Sequence, residues 1–179
     1  MQLAKDLISK MFPERIQNNY SLLSIEIISS RLLLKSISLT YKKEIFDTFT
    51  EDVTTYMYPR PAKNVVETAS FIKNSLEGMK NGHELILVIL KQHSQEFLGC
   101  AGIHGINKEQ PEFGIWLKKA AQGNGYGLET VVAMKNWCEE NLDCEYFIYP
   151  VDEENYPSRR IPEKLGGKVS RVYQKRNLS

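Results

Sequence analysis

The chain has 179 residues, of which 42% are hydrophobic and 25% charged, and a net charge of +1. At about 100–200 residues per domain this is one soluble-type domain with an ordinary core, which excludes long disorder and collagen-like repeats. The balance of 23 basic against 22 acidic residues excludes a general nucleic-acid binder, which carries a basic excess, and leaves small anionic ligands open.

Residues 1–20 form an extension ahead of the first strand. Leu3, Leu7, Met11 and Phe12 recur at helical spacing until Pro13, which predicts a docking helix; a membrane-surface helix would need a stronger basic face. Lys5, Asp6 and Lys10 interrupt the apolar residues, so they form no signal-peptide core. Residues 21–179 make up the domain proper. Ser24 to Ile37 is predicted to be extended, and Tyr41 to Thr50 helical. A loop with Tyr56, Tyr58, Pro59, Arg60 and Pro61 follows. Asn64 opens a second helix with Glu67 three residues on, a capping-box spacing, and Asn81-Gly82 closes it.

Glu84 to Lys91 and Glu96 to Ile103 read as a hairpin around Gln92–Gln95. Its Leu85–Leu90 run is the longest strongly apolar stretch, far below the ~20 residues of a membrane span. Glu112 to Leu117 is a further strand, and Leu128 to Leu142 a helix. Glu145 to Val151 is predicted as a strand, Asn155 to Leu165 as a short helix, and Gly167 to Gln174 as a last strand. The final strand–helix–strand crossover predicts a parallel pair within a mixed, mostly antiparallel sheet. The cysteines, Cys100, Cys138 and Cys144, are odd in number and lack a CxxC pair, which points to a reducing cytoplasm. His83, His93 and His104 have no ligand spacing; they read as turn or surface residues, and no metal site is expected.

The strongest chemical signal is Gln122-Gly123-Asn124-Gly125-Tyr126-Gly127, set between a strand and a helix. Its glycines let the backbone curl, and free N–H groups at a helix N-terminus favour an anion; the alternative is a plain flexible turn. A P-loop is excluded because no Lys-Ser or Lys-Thr follows Gly125, and a dinucleotide fingerprint because the spacing is G-x-G-x-G.

Gln122-x-x-Gly125-x-Gly127 resembles the acyl-CoA signature of the GNAT superfamily of N-acetyltransferases. Asn155 through Ser158 to Glu163-Lys164-Leu165-Gly166 is similar to a segment of the ribosomal-protein N-acetyltransferase branch. Arg31-Leu32-Leu33-Leu34 resembles that branch's opening strand, and Glu112 to Leu117 its fourth. The matches run in order from about residue 29 to 174. The resemblance implies an α/β GNAT fold, a central sheet splayed at its middle and flanked by helices, with acetyl-CoA as cosubstrate. It implies acetyl transfer to a primary amine, either a protein N-terminus or a small amine. A non-catalytic acyl-CoA-binding module is the alternative.

Residue by residue, the resemblance places the CoA pyrophosphate on the backbone of Gly123, Asn124, Gly125, Tyr126 and Gly127, with Gln122 at the loop entry. It places the pantetheine arm against backbone near Leu117 and Lys119, with Asn155 and Ser158 facing it; Asn155 also suits a helix N-cap. Glu112 is the candidate base that removes the amine proton, or else a solvent-facing strand carboxylate. Relatives carry a tyrosine acid after the asparagine, where this chain has Ile161, Pro162 and Glu163. Ser158 is the candidate acid instead, with Tyr149 and Tyr173 behind it. Tyr56, Tyr58 and Arg60 line the acceptor pocket or pack as an ordinary aromatic loop. The resemblance also implies one more strand after Gln174, for which five residues remain; a strand from a second copy, the Ser24 to Ile28 segment or direct pairing of the two flanking strands would fill the slot, and strand exchange in a homodimer is the favoured expectation.

Overall fold

The computed structural model describes residues 21–174, so the helix expected over 1–20 lies outside the described residues. Five antiparallel strands form one sheet in sequential order, β1 (Glu26–Ile28), β2 (Leu32–Ser36), β3 (Glu84–Lys91), β4 (Phe97–His104) and β5 (Glu112–Leu117). The run expected to be extended from Ser24 to Ile37 is a hairpin. Ser29 and Ser30 are turn formers, and the Ser29 N–H donates to the Leu32 carbonyl at 2.9 Å, folding β1 back on β2.

Helix α1 (Lys42–Thr48) and the single turn α2 (Glu51–Thr54) precede the proline loop, and α3 (Val65–Lys80) follows it. The Asn64 side chain caps α3, accepting from the Val66 and Glu67 N–H groups at 3.0 Å. The Glu67 carboxylate completes the box one residue early: it accepts from the Lys63 N–H, not from Asn64. Gly82, at φ 70°, ends the helix as expected.

β3 and β4 lie in the middle of the sheet, and Leu85 to Leu90 are all buried. Ile89 pairs with Gly99 and Leu90 with Phe97, which leaves Leu98 as an extra residue, a β-bulge in β4. Trp116 of β5 packs on Phe49 at the end of α1, with ring centroids 4.8 Å apart. Its neighbour Leu117 instead approaches Gly127 in α4 (Tyr126–Asn141). Side chains alternate along a strand, so α1 and α3 cover one face and α4 the other.

Two expectations fail at the C-terminal end. Glu145 to Val151 forms no strand: only Ile148 makes a parallel bridge, to Glu112, with the Phe113 N–H donating to the Ile148 carbonyl at 2.8 Å. Gly167 to Gln174 is irregular and exposed throughout. A strand needs a neighbour to pair its backbone, and neither segment has a ladder partner among the described residues. The predicted parallel pair is therefore reduced to one bridge beside an antiparallel sheet. β5 keeps an open edge beyond Phe113, and α5 (Tyr156–Lys164) closes the described fold.

Candidate active site

The loop before α4 is built for close approach. Gly123 and Gly125 adopt φ of 77° and 79°, a region that favours glycine. No atom lies within 4 Å of the place a Cβ would take at Gly123. The first bond of α4 runs from the Glu129 N–H to the Gly125 carbonyl, so the N–H groups of Tyr126, Gly127 and Leu128 have no intrahelical acceptor. Gln122 and Asn124 brace the loop with their side chains. Gln122 Nε2 donates to the Leu117 carbonyl at 3.1 Å, and Asn124 Nδ2 to the Gln122 carbonyl at 3.0 Å.

One carboxylate ties this loop to the β1–β2 turn. Glu129, in the first turn of α4, accepts from Ser29 Oγ at 2.7 Å, the Arg31 N–H at 2.8 Å and Arg31 Nε at 2.7 Å. Burial pushes its carboxyl up, but the bonds from Ser29, Arg31 and Ser30 outweigh this and hold it below the ordinary value. Arg31 also donates from Nη1 to the Asn124 carbonyl at 3.1 Å and lies over the Tyr126 ring, 4.6 Å from its centroid. A guanidinium thus stands beside unpaired backbone donors, a set that fits a diphosphate anion. In the sequence, Arg31 stood only as part of a strand match; its pairing with Glu129 bridges 98 residues and left no local signal.

The free edge of β5 leads away from the loop. The Phe113 N–H points to Ile148, so by alternation the N–H groups of Ile115 and Leu117 face the same open side. The Leu117 carbonyl is engaged by Gln122, and Lys119 starts a 3-10 turn, Lys119–Ala121. Near this end of the strand lies α5, whose Ile161 approaches Gly127 as Leu117 does. Asn155 caps α5, its Oδ1 accepting from the Ser158 N–H at 3.3 Å. Ser158 Oγ lies 2.9 Å from the Tyr149 hydroxyl, joining two of the three candidate acids. Burial pushes the Tyr149 phenol up, against the bond from Ser158, so it stays protonated. Tyr173 is not part of the group: it is exposed, stacked under Arg171.

On the α1–α3 face a cavity of about 610 Å³ opens between the helices and strands β3 to β5. Its walls are mainly apolar, among them Phe46, Phe49, Phe71 and Trp116; Arg60, Glu67 and Glu84 bring charge to it, and His104 lies among them. Of the proline loop, Met57, Pro59 and Arg60 line the cavity; Tyr56 and Tyr58 are exposed and do not. Arg60 is held by Glu67 at 3.2 Å. The end of the sheet carries one cross-strand row, Glu84, His104 and Glu112. His104 Nδ1 is 2.9 Å from Glu84 Oε2. Glu112 is exposed and lines a second cavity of about 510 Å³ with His104, Lys108 and Glu109. The Glu84–His104 pair escaped the sequence reading because a regular hairpin around Gln92–Gln95 sets Glu84 opposite Ile103, and the bulge at Leu98 shifts the pairing by one residue to His104. Among the described residues no cluster of His, Cys, Asp or Glu could hold a metal ion, and no helix is long and apolar enough to cross a membrane.

Several solved structures share this architecture. The ribosomal L7/L12 α-N-protein acetyltransferase RimL in complex with coenzyme A superposes with a TM-score of 0.70 at 17% identity, over 78% of this chain and 82% of that one. The microcin C7 self-immunity acetyltransferase MccE in complex with acetyl-CoA and AMP gives 0.69 at 20% identity, over 77% and 79%. The Salmonella typhimurium acetyltransferase that modifies the N-terminal serine of ribosomal protein L7/L12 gives 0.68 at 16%, over 78% and 83%. No curated protein matches the chain. At these identities the structures carry the fold alone. Residues 31–168, most of the chain, match the acetyltransferase (GNAT) domain family, and the protein belongs to that family.

Proposed function

We propose that the protein moves an acetyl group from acetyl-CoA to a primary amine, and that the acceptor is the N-terminal α-amine of a protein. The carrying observation is continuity. Unpaired N–H groups at the head of α4 lead to the open edge of β5, and that edge borders an apolar cavity with charge at a few points. Acetyl-CoA supplies the acetyl group as an activated thioester. The backbone of Gly123 to Gly127 holds its diphosphate, with Arg31 adding charge. The β5 edge near Ile115 and Leu117, with Asn155 opposite, aligns the pantetheine arm, and much of the rate comes from this positioning. Ser158, backed by Tyr149, returns a proton to the leaving sulfur, and Glu112 is the carboxylate through which the amine proton departs. RimL and the Salmonella enzyme act on a protein amino terminus, which supports the choice of acceptor. The free cysteines suit a reducing compartment such as the cytoplasm.

The test is CoA release from acetyl-CoA over a panel of amines: peptides with a free N-terminal serine, the same peptides Nα-blocked, spermidine and small primary amines. Turnover of free but not blocked peptides is expected. Turnover of spermidine alone would move the acceptor to small amines. Binding of acetyl-CoA without release on any amine would make the protein a sensing module.

A further inference from the structure

We infer that His104, held by Glu84, is the group that first takes the proton from the acceptor amine, with Glu112 passing it to solvent. The inference deepens the acetyl-transfer reading and rests on it.

The geometry begins with space. In the row beside the charged one, Ile86, Gly102 and Gly114 pair across β3, β4 and β5. A Cβ at Gly102 would meet His104 Nε2 at 2.9 Å, and one at Gly114 would meet it at 3.6 Å. The imidazole therefore lies along the sheet over two residues that have no side chain. Its Nε2 points over β4 towards β5, the strand whose far edge is open for the thioester. Glu84 is seated in the same way: a Cβ at Gly78 in α3 would come within 2.7 Å of Glu84 Oε1. Three glycines on three elements clear the room that this pair fills.

The second part is the tautomer. A carboxylate oxygen at hydrogen-bond distance from Nδ1 favours the tautomer in which Nδ1–H donates to Glu84 Oε2, and in the neutral ring that tautomer carries the lone pair on Nε2. A histidine with its proton fixed on one nitrogen and the other aimed into a cavity is suited to take a proton. Besides Glu84, the charged groups around it are Arg60 and Glu67 in the larger cavity and Lys108, Glu109 and Glu112 in the smaller one. His104 borders both cavities, so a proton taken in the first can leave through the second. Glu112, its cross-strand partner, lines that exit.

The step balances without a further reactant. The amine nitrogen forms a bond to the acetyl carbon and gives a proton to His104 Nε2. The carbon–sulfur bond breaks, the sulfur takes a proton from Ser158, and the two side chains exchange the difference with water.

The experiment measures kcat and KM across pH ~6–9.5 for the wild type, H104Q, H104A, E84Q and E112Q, on the fastest amine of the panel above. H104Q is expected to lower kcat by about 10²-fold or more, to lose the acid limb of the wild-type profile and to leave the KM for acetyl-CoA unchanged. Added imidazole should restore turnover to H104A, and E84Q should lose rate while still binding acetyl-CoA. An H104Q profile of wild-type height and shape, without imidazole rescue of H104A, overturns the inference and leaves Glu112 as the direct base. Failure of the wild type on every amine would instead overturn acetyl transfer itself, and this step with it.

Discussion

Ser158 and Tyr149 come from separate segments, yet their oxygens lie 2.9 Å apart. The buried phenol stays protonated, so it can recharge a hydroxyl that has given up its proton. Two groups that act as one relay are not additive when removed. S158A is therefore expected to lower kcat by about 10–100-fold with little change in CoA affinity. Y149F should cost a similar factor, and the double variant no more than the worse single. Steady-state kinetics with a CoA-binding isotherm checks this; losses that multiply would separate the two hydroxyls. At this scale the sequence was readable where residue type sets local geometry, as at Asn155, which caps its helix as its residue type suggests. It was silent where a role comes from a partner far along the chain, as for Arg31 with Glu129. His104 shows a third case: a single histidine has no pattern, and only the two glycines beside it in space give its ring a direction.

The glycine loop and its clasp form the element to which the proposed function assigns cofactor binding. Valine at position 125 would have to adopt φ near 79°, at a cost of ~1–3 kcal/mol, and would bring its Cβ within 3.5 Å of Arg31 Nη2. G125V is expected to weaken CoA binding about tenfold or more while the fold persists, as read by calorimetry and circular dichroism. Glu129 sets a pH dependence. Its carboxyl is held below the ordinary value, so its contribution to stability is complete at neutral pH and is lost as pH falls below the usual carboxylate range. E129Q should thus melt below the wild type at pH ~7, and the gap should close on acidification. A gap that stays constant with pH would show that the charge of Glu129 does not matter. Elements whose own residues complete them were legible: β3 and β5 match their expected limits because their apolar runs or strand entries are local. The segments 145–151 and 167–174 were not. Strand-like composition is only half of a strand, and the other half is a neighbour that composition does not supply.

At the scale of the molecule, the C-terminal part presents exposed, unpaired backbone over residues 167–174. Val169 and Val172 are each 82% exposed, and Tyr146, Val151 and Tyr173 are further exposed apolar residues of the C-terminal part. Unpaired strand-like segments with exposed apolar residues favour association, and a self-complementary edge is a direct route to a twofold pair. A homodimer that buries residues 167–174 is expected. Sedimentation at increasing concentration checks this, with V169D and V172D shifting the protein to monomer. A strictly monomeric wild type would assign the closure to the chain itself. The architecture as a whole was legible in the ordered matches from Arg31 to Gly166. The choice between an open and a completed sheet was not, because it depends on contacts beyond the strands themselves.

The bond between Glu129 and the β1–β2 turn has a consequence for how the protein responds to its cosubstrate. Whatever orders the loop at Gly125 also tightens Arg31, and Arg31 sits in the turn of the hairpin at the opposite edge of the sheet from β5. Ligation and local opening are then linked, so that occupancy at one rim of the sheet is felt at the other. Amides of residues 26–36 should exchange with deuterium more slowly once CoA is added, although none of them lines the cavity of the acceptor. In E129Q that protection should shrink while direct protection at Tyr126 to Leu128 remains. The edge strand would serve as a remote gauge of whether the loop is filled.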